Sequence, residues 1–211
     1  MRPGRVIITS NWDLFIEYYA TVRDVPLRLG GKPSEDHVTL IKLHGSVDWT
    51  DASDRRSHPD SDFAPLREIQ NPRRAWTIPV EGEAVLRIRA VENMARSWQF
   101  IKARTTRPLM ITMSLGKTVE TEPIRSMWED AYYALSAARH LRIIGYSMPA
   151  DDIEIRTLLR AGIARGSRRM LDPRGAGAQV TVINPETQVH VRVRTLISRA
   201  AGSDYGSFIP G

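Results

Sequence analysis

The sequence predicts an α/β fold, in which a doubly wound parallel sheet carries helices on both faces and a small subdomain is inserted. Two observations support this prediction. Short runs rich in β-branched residues alternate along the chain with longer segments whose apolar residues recur every three or four positions. A long stretch without this alternation separates the second of these runs from the third, which is typical of an insert.

The first half of the chain contains three strand candidates and one helix. VIIT at 6–9 and TLIKL at 39–43 are short apolar runs, and LMITM at 109–113 follows a proline. Residues 12–20 are predicted to form a helix between the first two strands. We expect the strands to lie parallel in one sheet, because helices connect the successive strands of this fold class.

The segment between the second and third strands is predicted to form the insert. It is rich in Asp, Arg and Pro early on, whereas residues 83–104 carry apolar side chains at helical spacing. We expect a metal-free small subdomain or lid over 51–107 that is helical in its second half. Residues 1–50 and 108–211 are expected to form the sheet domain.

The second half of the chain supplies the clearest helix. Apolar and aromatic residues between 123 and 139 fall on one helical face, and Pro123 stands in the first turn. Asp151 lies three residues before Glu154, a spacing that predicts a capping box at the start of a further helix. The remaining predicted elements are strands at 141–146 and 179–183 and helices from 152 and over 189–200.

The composition excludes several kinds of site. The chain has no cysteine, which rules out disulfides, cysteine nucleophiles and thiolate zinc sites, and we expect no metal. No apolar run approaches the roughly 18 residues that cross a bilayer, and the first residues do not read as a signal peptide. We therefore expect a soluble cytoplasmic protein without membrane contacts. Its net charge of +6, carried by scattered arginines, indicates an anionic ligand.

Polar residues follow four of the predicted strands at the point where each strand ends. In open parallel sheets, ligands bind outside the carboxyl ends of the strands. The sequence therefore predicts that these four segments share one edge of one sheet and form a binding site. They are Ser10-Asn11-Trp12-Asp13, His44-Gly45-Ser46, Gly145-Tyr146-Ser147 and Asn184-Pro185.

These segments resemble the motifs of a known family in order and in rough spacing. TSNWD resembles the Thr-Gln-Asn-Ile-Asp motif of sirtuins, KLHGS their catalytic His-Gly, IGYSMPADD their Gly-Thr-Ser loop, and VINP their Ile-Asn segment. More narrowly, the chain resembles the bacterial sirtuin-like domains that lack the zinc module. The resemblance implies a Rossmann-like fold, NAD as substrate, and cleavage of the bond between nicotinamide and ribose.

The resemblance also implies roles for individual residues. His44 is the expected catalytic base, because an imidazole takes up a proton near neutral pH. Asn11 is expected to orient the ribose or the attacking water, and Asp13 to accept a hydrogen bond from the carboxamide of nicotinamide. The other expected cofactor-binding residues are Ser10, Gly45, Gly145, Ser147 and Asn184, of which Ser147 and Asn184 would contact the distal phosphate and the adenosine ribose.

Each of these residues also has a simpler structural interpretation. His44 and Ser147 are compatible with ordinary turns at strand ends, and Asn11 and Asp151 with helix caps. We expect the His44 side chain to face a cleft and to pack against little.

The function that the resemblance favours is an NAD glycohydrolase that releases nicotinamide and ADP-ribose, an activity that in this branch often serves bacterial antiphage defence. An NAD-dependent protein deacylase is one alternative. A catalytically inactive module that binds a nucleotide, a nucleic acid, a partner protein or a second copy of itself is the other. The family also has an N-terminal strand and a Gly-Ala-Gly-x-Ser loop that hold the pyrophosphate, and residues 1–4 do not supply them. Either the chain is a piece of a longer protein, or it binds NAD weakly.

Overall fold

The structure, a computed structural model, describes residues 1–51, 63–65, 85–88, 108–110, 124–169, 178–201 and 208–210. These residues contain ten strands and four helices. In chain order they are β1 Val6–Thr9, α1 Phe15–Val22, β2 Leu27–Leu29, β3 Val38–Lys42, β4 Gly45–Asp51, β5 Phe63–Pro65, β6 Val85–Ile88, β7 Pro108–Met110, α2 Ile124–Ala137, β8 His140–Ile144, α3 Ile153–Arg169, β9 Gln179–Ile183, α4 Thr187–Ala201 and β10 Phe208–Pro210.

The chain divides into two compact units. The described residues up to Asp130 belong to the first unit, and those from Ala131 onward belong to the second. Helix α2 therefore contributes its first half to one unit and its second half to the other.

The first unit contains a parallel sheet of three strands in the order β1-β3-β2. All five residues of the central strand β3 are buried, including Thr39 and Lys42. A strand with a parallel neighbour on each side and covered on both faces reads as a continuous apolar run, which explains why TLIKL does not alternate with polar residues. The chain leaves β2 through Gly30, whose φ of +65° favours glycine.

The first unit also contains an antiparallel sheet in the order β5-β6-β4-β7. Strand β4 pairs with β6 on one side and with β7 on the other. Its Trp49 is completely buried and belongs to the core of this unit.

The second unit contains a parallel sheet in the order β10-β9-β8. Buried aliphatic residues of β8, β9, α3 and α4 form one core cluster, which also takes in Met148 from the loop after β8. Helices α2 and α3 approach closely, because a Cβ atom at Gly162 would lie only 2.6 Å from the Cβ of Leu135. The cluster consists of Ile143, Met148, Ile163, Val180, Val182, Val189, Val193, Leu196 and Ile197.

The structure confirms a mixed α/β fold with parallel sheets and corrects several details. Among the described residues, the strands that end in the predicted site segments lie in two three-stranded parallel sheets, and the doubly wound arrangement stays a prediction. The strand predicted over 109–113 was expected in the parallel sheet, but its described residues, Leu109 and Met110, belong to β7, which pairs antiparallel with β4. A short apolar run indicates burial, and it does not indicate the direction of pairing.

The insert is also corrected in part. Val85–Ile88 was expected to be helical and is a strand that pairs with β4 and β5. Apolar residues at three-residue spacing fit a helix, but the β-branched content of this run also suits a strand. The other residues of the predicted helix, and the metal-free subdomain over 51–107 as a whole, lie largely outside the described residues.

Candidate functional site

Two of the predicted site segments meet at the carboxyl ends of β1 and β3. These strands are parallel neighbours, with Thr9 opposite Lys42, so both chains leave the sheet at the same edge. The Leu43 N–H donates to the Thr9 carbonyl oxygen at 2.9 Å. The structure therefore brings Ser10-Asn11 and His44-Gly45 together, as the sequence predicts for this pair.

The His44 side chain is fully buried in this position. Its Nδ1 lies 3.2 Å from the Ser10 carbonyl oxygen, and its ring packs beside Trp128 of α2 with 6.4 Å between the ring centroids. A carbonyl oxygen only accepts, so Nδ1 is the donor in this contact. In a neutral ring with that tautomer, the basic lone pair lies on Nε2. The expectation that His44 packs against little is wrong, because α2 lies beside the end of β3.

Trp128 also fixes the main chain beside His44. Its indole Nε1 donates to the Leu43 carbonyl oxygen at 2.7 Å. The sequence indicated only a core aromatic residue here, and the structure shows that the same side chain contacts both the candidate base and the segment that carries it.

Asn11 and Asp13 lie in the loop between β1 and α1. Asn11 is exposed, and its backbone N–H donates to Thr9 Oγ1 at 3.1 Å. Asp13 Oδ1 accepts from the Phe15 N–H at 3.0 Å, at the first residue of α1. The helix was expected to begin at Trp12, with Asn11 as its cap. This interpretation is wrong, because α1 begins three residues later and Asp13 makes the contact.

Gly45, between β3 and β4, has a backbone conformation that favours glycine. Its φ is +80°, in the left-handed region, and it is buried between His44 and Ser46. Any other residue would be strained here, so the turn from β3 into β4 depends on this glycine.

The sequence analysis missed Lys42, the last residue of β3. Its ammonium group is completely buried and lies 2.9 Å from Glu17 Oε1, 2.8 Å from Ser46 Oγ and 2.5 Å from the Asp13 carbonyl oxygen. Glu17, on α1, is also buried. A lysine at the end of an otherwise apolar run was the available signal, because a charge in a buried strand needs a charged or hydrogen-bonding partner.

In the second unit, the other two site segments meet at the carboxyl ends of the parallel neighbours β8 and β9. The Gly145 N–H donates to the Ile183 carbonyl oxygen at 3.0 Å, and Asn184 Nδ2 lies 3.4 Å from the Tyr146 carbonyl oxygen. Ser147 is exposed, and its carbonyl oxygen accepts from the Arg192 guanidinium at 3.2 Å. This pair of segments therefore also comes together within its own unit.

The loop after β8 is fixed by Asp152. Its Oδ2 accepts from the Tyr146 hydroxyl at 2.8 Å, and its Oδ1 lies 3.5 Å from the Ile155 N–H in the first turn of α3. Burial raises the pKa of the Tyr146 hydroxyl, and the hydrogen bond to the Asp152 carboxylate raises it further. The predicted capping box at Asp151 is therefore wrong, because Asp152 occupies the capping position and Asp151 is exposed.

The carboxyl group of Asp130, at the end of the first unit, is expected to make the stability of the protein depend on pH. Its Oδ2 accepts from the Gly31 N–H at 2.6 Å. Burial raises the pKa of Asp130 above its ordinary value of 3.8, although the Gly31 contact opposes the shift. The folded protein therefore binds this proton more tightly than the unfolded chain does. The contribution of the Asp130 carboxyl group to stability is therefore complete below pH 3.8, and it is lost as the pH rises through the pKa of the folded state.

Asp130→Asn should remove this component while keeping an oxygen for the Gly31 N–H. We expect urea unfolding to show the variant gaining stability relative to wild type as the pH rises above 3.8. Glu35→Gln, at an exposed carboxylate of the same unit, is the matched control. Parallel stability curves for wild type and Asp130→Asn over this range would contradict the assignment.

Two comparisons of the sequence with known proteins found no match. A scan against family models matches no family, and a search of curated proteins finds no similar chain. Among the residues that the structure describes, no group of three His, Asp or Glu residues is placed to hold a metal ion. Within the same residues, no helix has the length and apolar character to cross a membrane.

Proposed function

We propose that the chain binds NAD and hydrolyses the bond between nicotinamide and ribose, releasing nicotinamide and ADP-ribose. The observation that supports this most is the contact between His44 Nδ1 and the Ser10 carbonyl oxygen at 3.2 Å. It joins two of the segments that carry the sirtuin resemblance, TSNWD and KLHGS. In a neutral ring whose Nδ1 is the donor, the basic nitrogen is Nε2. The parallel sheets are compatible with the Rossmann-like, doubly wound arrangement that belongs to this proposal.

In the proposed reaction, the bond from ribose C1 to the nicotinamide nitrogen breaks, and nicotinamide leaves as an uncharged molecule. Water forms the new bond to C1, and its proton passes to His44 Nε2, directly or through a ribose hydroxyl. Because His44 is fully buried, the proposal requires its surroundings to move when NAD binds, and Trp128 packs against its ring.

Asn11 and Asp13 would act on the nicotinamide half of NAD. The exposed Asn11 offers an amide that both donates and accepts, which suits a ribose hydroxyl or the attacking water. A carboxylate accepts several hydrogen bonds, so Asp13 can bind the carboxamide of nicotinamide while keeping its contact with the Phe15 N–H.

In the second unit, Ser147 and Asn184 would contact the distal phosphate and the adenosine ribose. Ser147 is exposed, and the guanidinium of Arg192 lies at its carbonyl oxygen. A guanidinium group close to an exposed serine favours binding of a phosphate group. The positive net charge of the chain acts in the same direction.

A second candidate function is a catalytically inactive module that binds a nucleotide. The full burial of His44 favours it, because a base that acts on a substrate must reach it. An NAD-dependent deacylase ranks below both, since classical deacylases build their small domain partly on four zinc-binding cysteines and this chain has none.

One experiment separates these functions. The chain, alone and with any residues encoded in frame upstream of Met1, is incubated with saturating NAD, with and without an acyl-lysine peptide, and the products are identified by mass spectrometry. We expect equal amounts of nicotinamide and ADP-ribose without the peptide. Nicotinamide release only with the peptide would favour the deacylase. NAD binding without turnover would favour the inactive module. The absence of both binding and turnover would contradict all three functions.

A further inference from the structure

A buried ion pair lies directly beneath the loop that carries Asn11 and Asp13. Lys42 and Glu17 are 0% and 1% exposed, and their charged groups are 2.9 Å apart. Burying two charges is expensive, and apolar residues of similar size often serve stability as well. The pair therefore calls for an explanation other than stability alone.

The other contacts of the ammonium group point to the loop. Lys42 Nζ lies 2.5 Å from the Asp13 carbonyl oxygen and 3.4 Å from the Trp12 carbonyl oxygen. It also lies 2.8 Å from Ser46 Oγ, which follows His44 and Gly45. One lysine thus contacts both segments of the candidate site in this unit, the first through main-chain carbonyl oxygens and the second through the Ser46 side chain.

The Trp12 carbonyl oxygen accepts further hydrogen bonds from the same side. Ser46 Oγ lies 3.4 Å from it, and the Val47 N–H donates to it at 3.1 Å. The loop therefore turns its carbonyl oxygens inward, toward β3 and β4, while Asn11 remains exposed. Without the ammonium group the Asp13 carbonyl oxygen would lose its cationic partner, and a buried carbonyl without a donor is unfavourable by about 1–3 kcal/mol.

We propose that Lys42 is a positioning residue, whose ammonium group holds the Trp12 and Asp13 carbonyl oxygens inward and thereby presents Asn11 and Asp13 to NAD. This inference rests on the proposed function for its catalytic consequence. The arrangement of the loop is testable without it.

The test compares two variants that both lack the ion pair. Glu17→Gln keeps the amine and its hydrogen bonds to the loop, but leaves a cation buried without its counter-charge. Lys42→Met with Glu17→Gln removes both charges, so it should be more stable than Glu17→Gln and yet lose the contacts to the loop. Stability and loop order are therefore predicted to change in opposite directions, which a purely stabilising role does not produce.

Three quantities are measured for each full-length variant: the melting temperature, amide hydrogen exchange of residues 10–14, and kcat and KM for nicotinamide release. We expect the double variant to exchange faster in this loop and to lose about 100-fold in kcat with little change in KM, because misplacing reacting groups by about 1 Å has an effect of that size. Glu17→Gln should stay within about fivefold of wild type in kcat and in loop exchange. Lys32→Met, at an exposed lysine, is the matched control.

The outcomes separate this inference from the proposed function. The inference about Lys42 would be overturned if the loop of the double variant exchanged its amide hydrogens at the wild-type rate. It would also be overturned if amide exchange accelerated equally in the loop and in β3. If wild type releases no nicotinamide, the proposed function fails, and loop exchange alone decides the role of Lys42. Should the double variant not fold, Lys42→Gln with Glu17→Gln is decisive: it keeps a polar side chain at this place but not the ammonium group, and it should accelerate exchange of the same loop by about fivefold. Unchanged loop exchange in that variant would then overturn the inference.

Discussion

Replacing His44 by Asn is expected to lower the rate of nicotinamide release by about 100- to 10,000-fold, the usual effect of losing a general base. Asn keeps an amide N–H that can donate to the Ser10 carbonyl oxygen, as Nδ1 does, but it has no basic nitrogen. We prefer Asn to Ala because the imidazole is fully buried, and a cavity at this place would also destabilise the fold.

The rates are measured at saturating NAD, well below the melting temperature of each variant. His140→Ala is the matched control, because His140 is exposed on β8, where its Nδ1 lies 2.9 Å from Gln179 Oε1. It should retain wild-type turnover. A His44→Asn variant that is folded and hydrolyses NAD at the wild-type rate would refute the assignment of His44 as the base.

Lys42→Met alone is expected to reduce the free energy of unfolding by about 3–5 kcal/mol. The methionine fits the volume, but the buried Glu17 carboxylate then loses the ammonium group of Lys42. Adding Glu17→Gln should restore much of this loss, since the second change removes the charge of the buried carboxylate.

The measurement is urea unfolding of wild type, both variants and the control Lys32→Met. The control should lie within about 0.5 kcal/mol of wild type, as is usual for exposed positions. A loss below about 1 kcal/mol in Lys42→Met would show that the ion pair is not buried in solution as it is in the structure.

The sequence predicted best those elements whose apolar pattern is set by burial alone. VIIT and QVTVI form strands with the predicted ends, and the apolar face of 123–139 forms α2. Strands β2 and β10 were missed, because each has only three residues and so carries no periodic signal. The start of α3 was displaced by one residue, since Asp151 and Asp152 are both good caps and only the fold selects between them.

The sequence predicted which strand-end segments come together in pairs, but it did not predict how the side chains of the candidate site pack. Parallel neighbours end at the same edge of a sheet, so the approach of Ser10 to His44 follows from the strand order. The burial of His44 depends on α2, which lies about eighty residues further along the chain, as the separation of 85 between Leu43 and Trp128 shows. Local patterns do not report contacts of such sequence separation. The sequence showed Lys42 as a charge in an apolar run, but not its partner Glu17, which lies 25 residues earlier in the chain.

The central claim, that the strand-end segments bind NAD, is tested most directly by titrating NAD into protein labelled with 15N at glycine only. Gly45 lies beside His44, and Gly145 lies in the segment after β8, so each reports on one unit. We predict saturable shifts of the Gly45 and Gly145 amide signals, with those of Gly4 and Gly162 unchanged. Shifts confined to Gly4 and Gly162, or no shifts at millimolar NAD, would contradict the account.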